Sequence, residues 1–216
     1  MNRRTLVMVI SVLLLAAFAA AFFYQGTTPP PQKQAAPGPQ GASALVRFHS
    51  PVFGPAQAPV TIVEFFDPSC EACRAFYPYV KKILAENPSD VRLVLRYVLF
   101  HQGSEEAARL LEAARKQNLY PQVLEAVLAA QPQWHDDATA AKALEAAAAV
   151  GLDLDKARVD MRSPEVDAVL KTDMQDVKTV GIQGTPTFFV NGQPLTEFGP
   201  EPLRQLVLGE LAKVRN

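Results

Sequence analysis

The sequence predicts an α/β fold, a βαβ-ββα frame interrupted by a helical insertion. Three observations carry this. Two runs rich in β-branched and aromatic residues, "VTIVEFF" at 60–66 and "VRLVLRYVL" at 91–99, bracket a segment with helical apolar spacing. A third run, "TFFVNGQPL" at 187–195, contains an Asn-Gly turn and leads into a closing amphipathic segment. Between the second and third runs, at about 103–181, only helix signals occur.

Each element follows from its residues. Asn2-Arg3-Arg4 precedes an uncharged apolar run from Leu6 to Tyr24. At about 1.5 Å rise per residue, roughly 20 such residues span the hydrocarbon of a bilayer. Residues 1–24 are thus either a membrane anchor with a cytoplasmic start or a signal peptide cleaved near Ala17 to Ala21, and either one exports the body. Residues 25–44, with Pro29-Pro30-Pro31, Pro37 and Pro39, hold too little apolar surface to offset the entropy of ordering, so a flexible linker is expected there. The folded domain then runs over 45–216.

Within it, Leu45 to Phe48 reads as a short strand and Val60 to Phe66 as a buried one, stopped by Asp67-Pro68. Cys70 to Glu86 places Ala72, Phe76, Tyr79, Val80 and Ile83 at helical spacing; Asn87-Pro88 ends the helix, and Pro78 predicts a kink inside it. Val91 to Leu99 is the second long strand. Ser104 is the expected cap of a helix reaching Gln117, and Tyr120 to Ala130 forms the next. Asp136 or Asp137 starts an alanine-rich helix stopped by Gly151, Asp153 opens another, and Ser163-Pro164-Glu165 opens a long one ended by Gly181. Thr187 to Leu195 is a hairpin about Asn191-Gly192, and Glu201 to Val214 is the last helix.

Composition narrows the function. Twenty-one basic residues against 22 acidic ones leave no basic field for a phosphate backbone, so no nucleic-acid partner is expected. The two cysteines, Cys70 and Cys73, are too few for a disulfide framework, and His49, His101 and His135 lack zinc-ligand spacing. His101 and His135 read as loop residues and Trp134 as a packing residue between helices.

The Cys70–Cys73 pair admits three readings. A structural disulfide across so small a loop would constrain the unfolded chain little, because stabilisation grows with loop length. A zinc site would need ligands beyond two thiolates. A redox pair suits the position, since Cys70 follows a strand at the start of a helix, where free N–H groups and the helix dipole favour an anion. Between the cysteines stand Glu71 and Ala72, and the Glu71 carboxylate is expected to oppose the thiolate and make the pair less oxidising. Glu64, inside the apolar strand, is either an outward-facing charge or a buried acid that exchanges a proton with Cys73.

At this point "PVTIVEFFDPSCEACRAFYP" at 59–78 and "GIQGTPTFFVNGQP" at 181–194 resemble the DsbA-like group of exported thioredoxin-fold disulfide oxidoreductases. The resemblance covers roughly Phe48 to Ala212 and implies a thioredoxin fold with an inserted helical domain. It implies that Cys70 is the nucleophile, Cys73 the resolving thiol and Glu64 the acid of the preceding strand. It also implies that Thr185-Pro186 is a cis-proline loop opposite the cysteines, where an extended substrate would pair beside Glu71 and Ala72. Dithiol–disulfide exchange of this kind requires no cofactor and no metal.

The expected partners are exported proteins bearing thiols or disulfides. A membrane redox partner, either a quinone-linked oxidase or a thiol-transferring reductase, would act on the periplasmic side of a bacterial inner membrane. Two alternatives stand beside this reading: a reductase or isomerase dedicated to one client, and a membrane-tethered chaperone holding Cu(I) on the same two sulfurs.

Overall fold

The computed structural model describes Asn2 and residues 39–215. The expected anchor or signal peptide and the linker up to residue 38 otherwise lie outside the described residues. Among those described, no helix is long and apolar enough to cross a membrane.

The elements are α1 (Pro39–Ala44), β1 (Val52–Phe53), β2 (Val60–Phe66), α2 (Glu71–Glu86), β3 (Val91–Tyr97), α3 (Ser104–Lys116), α4 (Tyr120–Ala130), a 3-10 turn (Gln131–Gln133), α5 (Ala141–Ala149), α6 (Leu154–Asp160), α7 (Pro164–Val180), β4 (Thr187–Val190), β5 (Gln193–Pro194) and α8 (Pro200–Arg215). The strands form one sheet in the order β1-β3-β2-β4-β5. β2 and β3 run parallel through the α2 crossover, while β4 lies antiparallel to β2 with Glu64 opposite Phe188. Asn191 and Gly192 both take positive φ, +47° and +82°, as a two-residue hairpin turn between β4 and β5 requires.

Alternation along the strands builds two layers. On one face Ile62, Phe66, Leu93, Leu95 and Tyr97 join α2, α8 and the inserted helices in the main core. On the other, Val63, Phe65, Val94, Val98 and Phe189 pack with Leu45 and with Val177 of α7. Trp134 is buried and donates its indole N–H to the Val127 carbonyl at 3.0 Å, a packing role between helices.

Three local expectations are corrected. Residues 39–44, within the expected linker, are helical, and Leu45 follows in a bend rather than a strand. The reason is buried charge: the Arg96 guanidinium, on the α7 side of β3, donates to the Ala44 and Leu45 carbonyl oxygens and to Asp173 and Asp176 of α7. Arg47 adds a bidentate contact to Asp176 at 2.7 and 2.8 Å. This ionic cluster holds a segment whose own composition favours no order. The first short strand is instead Val52–Phe53, antiparallel to β3.

Third, Ser104 is not a cap. Gly103 stands at the cap of α3 with φ +71°, where a Cβ would meet the Asp137 carbonyl oxygen at 2.6 Å. Ser104 is freed to turn its hydroxyl inward, 2.6 Å from Asp67 Oδ1.

Candidate active site

Cys70 is the cap residue of α2, so the strand-to-helix turn after Phe66 delivers its sulfur to the helix N-terminus. Both cysteines are buried. The Cys70 thiol lies 3.2 Å from the Thr185 carbonyl oxygen, and the Thr185–Pro186 peptide bond is cis. The cysteines and the Thr185-Pro186 loop are therefore brought together. Glu71 opens the helix, and Ala72 packs partly buried against the main core.

The two thiols are driven apart in acidity. The Cys70 thiol is lowered to about 5: a hydrogen bond from Cys73 is the largest influence, opposed by burial and reinforced by the Thr185 side chain and by the N–H groups of Cys73 and Ala72. These are the unpaired amides that any helix start presents. The Cys73 thiol is pushed well above its ordinary value by burial, then by its hydrogen bond to Cys70 and by the charges of Glu64 and Cys70. One sulfur is made an anion near neutral pH and its neighbour is kept protonated.

Glu64 is 1% exposed and sits on the α2 side of β2, between Ile62 and Phe66. Burial, with a smaller contribution from the Cys70 charge, raises its carboxyl to about 8. Its Oε2 has no hydrogen-bond partner among the described residues. Charge coupling runs from Glu64 to both sulfurs.

Glu71 does not act as the sequence suggests. Its side chain is 68% exposed and faces His135 Nε2 at 3.7 Å, and Cys70 is poised by its other neighbours. A solvated carboxylate is screened and exerts little force on the sulfur.

Three residues of the site carry little sequence signal. Asp67, which reads only as a turn residue, is fully buried, with an N–H 3.5 Å from Cys73 Sγ and a carboxylate that accepts from the Ser69 N–H, the Phe100 N–H and the Ser104 hydroxyl. Gln131, at the end of α4, donates its amide to the Pro68 and Cys70 carbonyl oxygens at 2.7 and 3.0 Å and accepts from Arg74 Nε at 2.9 Å. His101 lies in a loop, as read, but its Nδ1 is 2.8 Å from Asp67 Oδ2. An aspartate ending an apolar strand directly before the cysteines is the one available hint; nothing local marks Gln131. Among the described residues no cluster of three or more acidic, histidine or cysteine side chains could hold a metal.

The Thioredoxin family profile matches residues 48–207. A crystal structure of a thioredoxin-like oxidoreductase from Silicibacter pomeroyi superposes with a TM-score of 0.68 at 31% identity, covering 80% of this chain and 96% of that one. The thiol:disulfide interchange protein DsbA of Bordetella parapertussis is 29% identical over 161 residues, 73% of this chain and 75% of the relative. The Na(+)/H(+) antiporter NhaA 3 of Salinispora tropica is 33% identical over 170 residues, 76% of this chain. The chain spans only 25% of that antiporter's length.

Proposed function

Since the chain belongs to the thioredoxin family, in its DsbA-like form, we propose that it is a thiol–disulfide oxidoreductase acting on exported proteins through Cys70-Glu71-Ala72-Cys73. The observation that carries the reading is the split acidity of two adjacent thiols beside a cis-proline loop, Cys70 lowered to about 5 and Cys73 raised.

In the oxidising direction a client thiolate attacks Cys70 Sγ of the Cys70–Cys73 disulfide, and Cys73 leaves as a thiolate. Glu64, a neutral acid below about pH 8, supplies the proton that Cys73 requires in its apolar surroundings. A second client thiolate then attacks the client sulfur of the mixed disulfide and expels Cys70, already stable as an anion. The reverse sequence reduces a client disulfide, with Glu64 in its carboxylate form taking the Cys73 proton. Stabilising the Cys70 thiolate favours the reduced protein and so makes the pair more oxidising. The Thr185 backbone, whose carbonyl lies 3.2 Å from Cys70 Sγ, offers a client strand a hydrogen-bonding group beside the reactive sulfur. A periplasmic site of action and a membrane redox partner that resets the pair belong to the same reading.

Equilibration with glutathione, together with insulin reduction, tests it. The wild-type protein should exchange, Cys70→Ser should not, and Cys73→Ser should accumulate mixed disulfides with clients. A native protein whose two thiols resist alkylation at neutral pH, or which binds Cu(I) stoichiometrically without exchanging, would overturn the reading.

A further inference from the structure

Asp67 joins the cysteine turn to the loop that opens the helical insertion. Its Oδ1 accepts from the Ser69 N–H at 2.9 Å and the Ser104 hydroxyl at 2.6 Å; its Oδ2 accepts from the Phe100 N–H at 2.9 Å and faces His101 Nδ1 at 2.8 Å. Its backbone faces the cysteines, with the N–H 3.5 Å from Cys73 Sγ and the carbonyl accepting the Cys70 N–H at 3.1 Å. A fully buried carboxylate in this position would oppose a thiolate by like-charge repulsion. Of its four side-chain partners, only His101 can bring a positive charge. The imidazole is 47% exposed, so solvent protons reach it directly.

We propose, on the basis of the exchange activity above, that His101 is a positioning residue for the redox pair: its imidazolium, held by Asp67, offsets the Asp67 charge, favours the Cys70 thiolate and takes up part of a proton when the disulfide is reduced. The step balances as follows. Two client thiols become a disulfide and release two protons, and their two electrons break the Cys70–Cys73 bond. Cys73 keeps one proton and Cys70 remains a thiolate. The other proton goes to solvent, except for the part drawn onto His101 by the new charge.

Linkage requires the reciprocal effect, so a thiolate that raises the affinity of His101 for its proton is itself stabilised by that proton. Burial acts to lower the His101 value, but the hydrogen bond to Asp67 and the charges of Asp67 and Cys70 outweigh it and leave it raised. Other charged groups nearby are engaged elsewhere. Glu105 and Glu106 of α3 pair with Arg109 at 2.8 Å and Arg162 at 2.7 Å, and the Asp137 carboxylate accepts from Thr139 and the Ala141 N–H.

The test uses the full chain and two measurements. First, equilibrium with glutathione is measured at about pH 5.5 and about pH 8.5 for wild type and for His101→Gln, which keeps a donor for Asp67 without the charge. At the lower pH the wild type should be reduced about threefold more readily, about 15 mV at roughly 30 mV per tenfold for two electrons. At the higher pH the two should coincide. Second, the imidazole of His101 in the unmutated protein is titrated by NMR in both redox states, and its pKa should be higher in the reduced protein.

An offset identical at both pH values, or no offset, together with a redox-independent imidazole titration, overturns the tuning role while leaving the exchange reading intact. A wild-type protein that exchanges with neither glutathione nor insulin overturns both. If His101→Gln fails to fold, the NMR comparison alone decides.

Discussion

The side-chain amide of Gln131 donates to the backbone carbonyl oxygen of Cys70 over 3.0 Å, so the end of an inserted helix grips the residue that carries the reactive sulfur. The same nitrogen satisfies the Pro68 carbonyl, and all three groups lie out of reach of bulk water. Replacing Gln131 with Leu leaves the buried Pro68 carbonyl without its donor, worth about 1–3 kcal/mol, while the Cys70 carbonyl keeps the Arg74 N–H at 3.1 Å. Gln131→Leu should lose about 1–3 kcal/mol in urea unfolding, and the pH midpoint for Cys70 alkylation should rise as the amides at the helix start lose their aim.

The Cys70 thiolate depends most on Cys73. Iodoacetamide should therefore modify wild-type Cys70 with a midpoint near 5, while Cys73, raised by burial, stays silent at neutral pH. Cys73→Ala removes the donor to the anion. A hydrogen bond to a charged group is worth about 1.5–3 kcal/mol, so the midpoint should move up by about one unit or more, whereas Cys73→Ser should keep much of the effect. A midpoint unmoved by Cys73→Ala would assign the lowered acidity to the helix start alone.

Glu64 predicts a definite pH dependence of stability. Its folded value, about 8, lies above its ordinary value of 4.5, so the folded protein binds this proton more tightly than the unfolded chain does. That contribution is complete below about pH 4.5 and is lost progressively as pH rises to about 8, amounting to a few kcal/mol over the window. Glu64→Gln should flatten this slope and be more stable than wild type above neutral pH, as read from urea midpoints at a series of pH values. Its release of mixed disulfides should slow, because Cys73 loses its proton exchanger.

Arg96 and Asp173 form the corresponding test on the other face of the sheet. Asp173 accepts from Arg96 at 2.7 Å, from His49 at 2.7 Å and from the Tyr97 N–H at 2.7 Å, all buried. Asp173→Ala removes one of the two carboxylates that pair with Arg96, leaving Asp176, and takes away the partner of His49, so it should cost about 3 kcal/mol in urea unfolding. Hydrogen exchange should localise the loss to residues 39–50 and α7, with the Cys70 alkylation midpoint unchanged.

Much of this was legible because period and punctuation agree. The alternation in "VTIVEFF", the stop at Asn87-Pro88, the Asn191-Gly192 turn and the Gly181 terminator are local signals, and the corresponding elements fall within a few residues of expectation. The cysteines stood out through their spacing, and Glu64 through its presence in an apolar strand. What stayed hidden depends on distant partners. Residues 39–44 are ordered by Arg96, about fifty residues away in sequence; Ser104 is turned from cap to buried donor by Asp67; Gln131 reaches Cys70 across 61 residues. No local pattern encodes such pairings, because the free energy comes from satisfying buried polar groups that meet only once the chain has folded. Glu71 misled for the converse reason, since adjacency in sequence does not fix which way a helical side chain points.

The helix at residues 39–44 is fastened by charge, on the sheet face away from Cys70 and Cys73. Tension arriving along the polypeptide from upstream would load Arg47, Arg96 and their two aspartates before it reached the thiol pair. The redox centre is in this sense mechanically insulated: a pull strong enough to peel the handle from the sheet would first tear an ionic clasp, leaving the sulfurs and the loop opposite them in register.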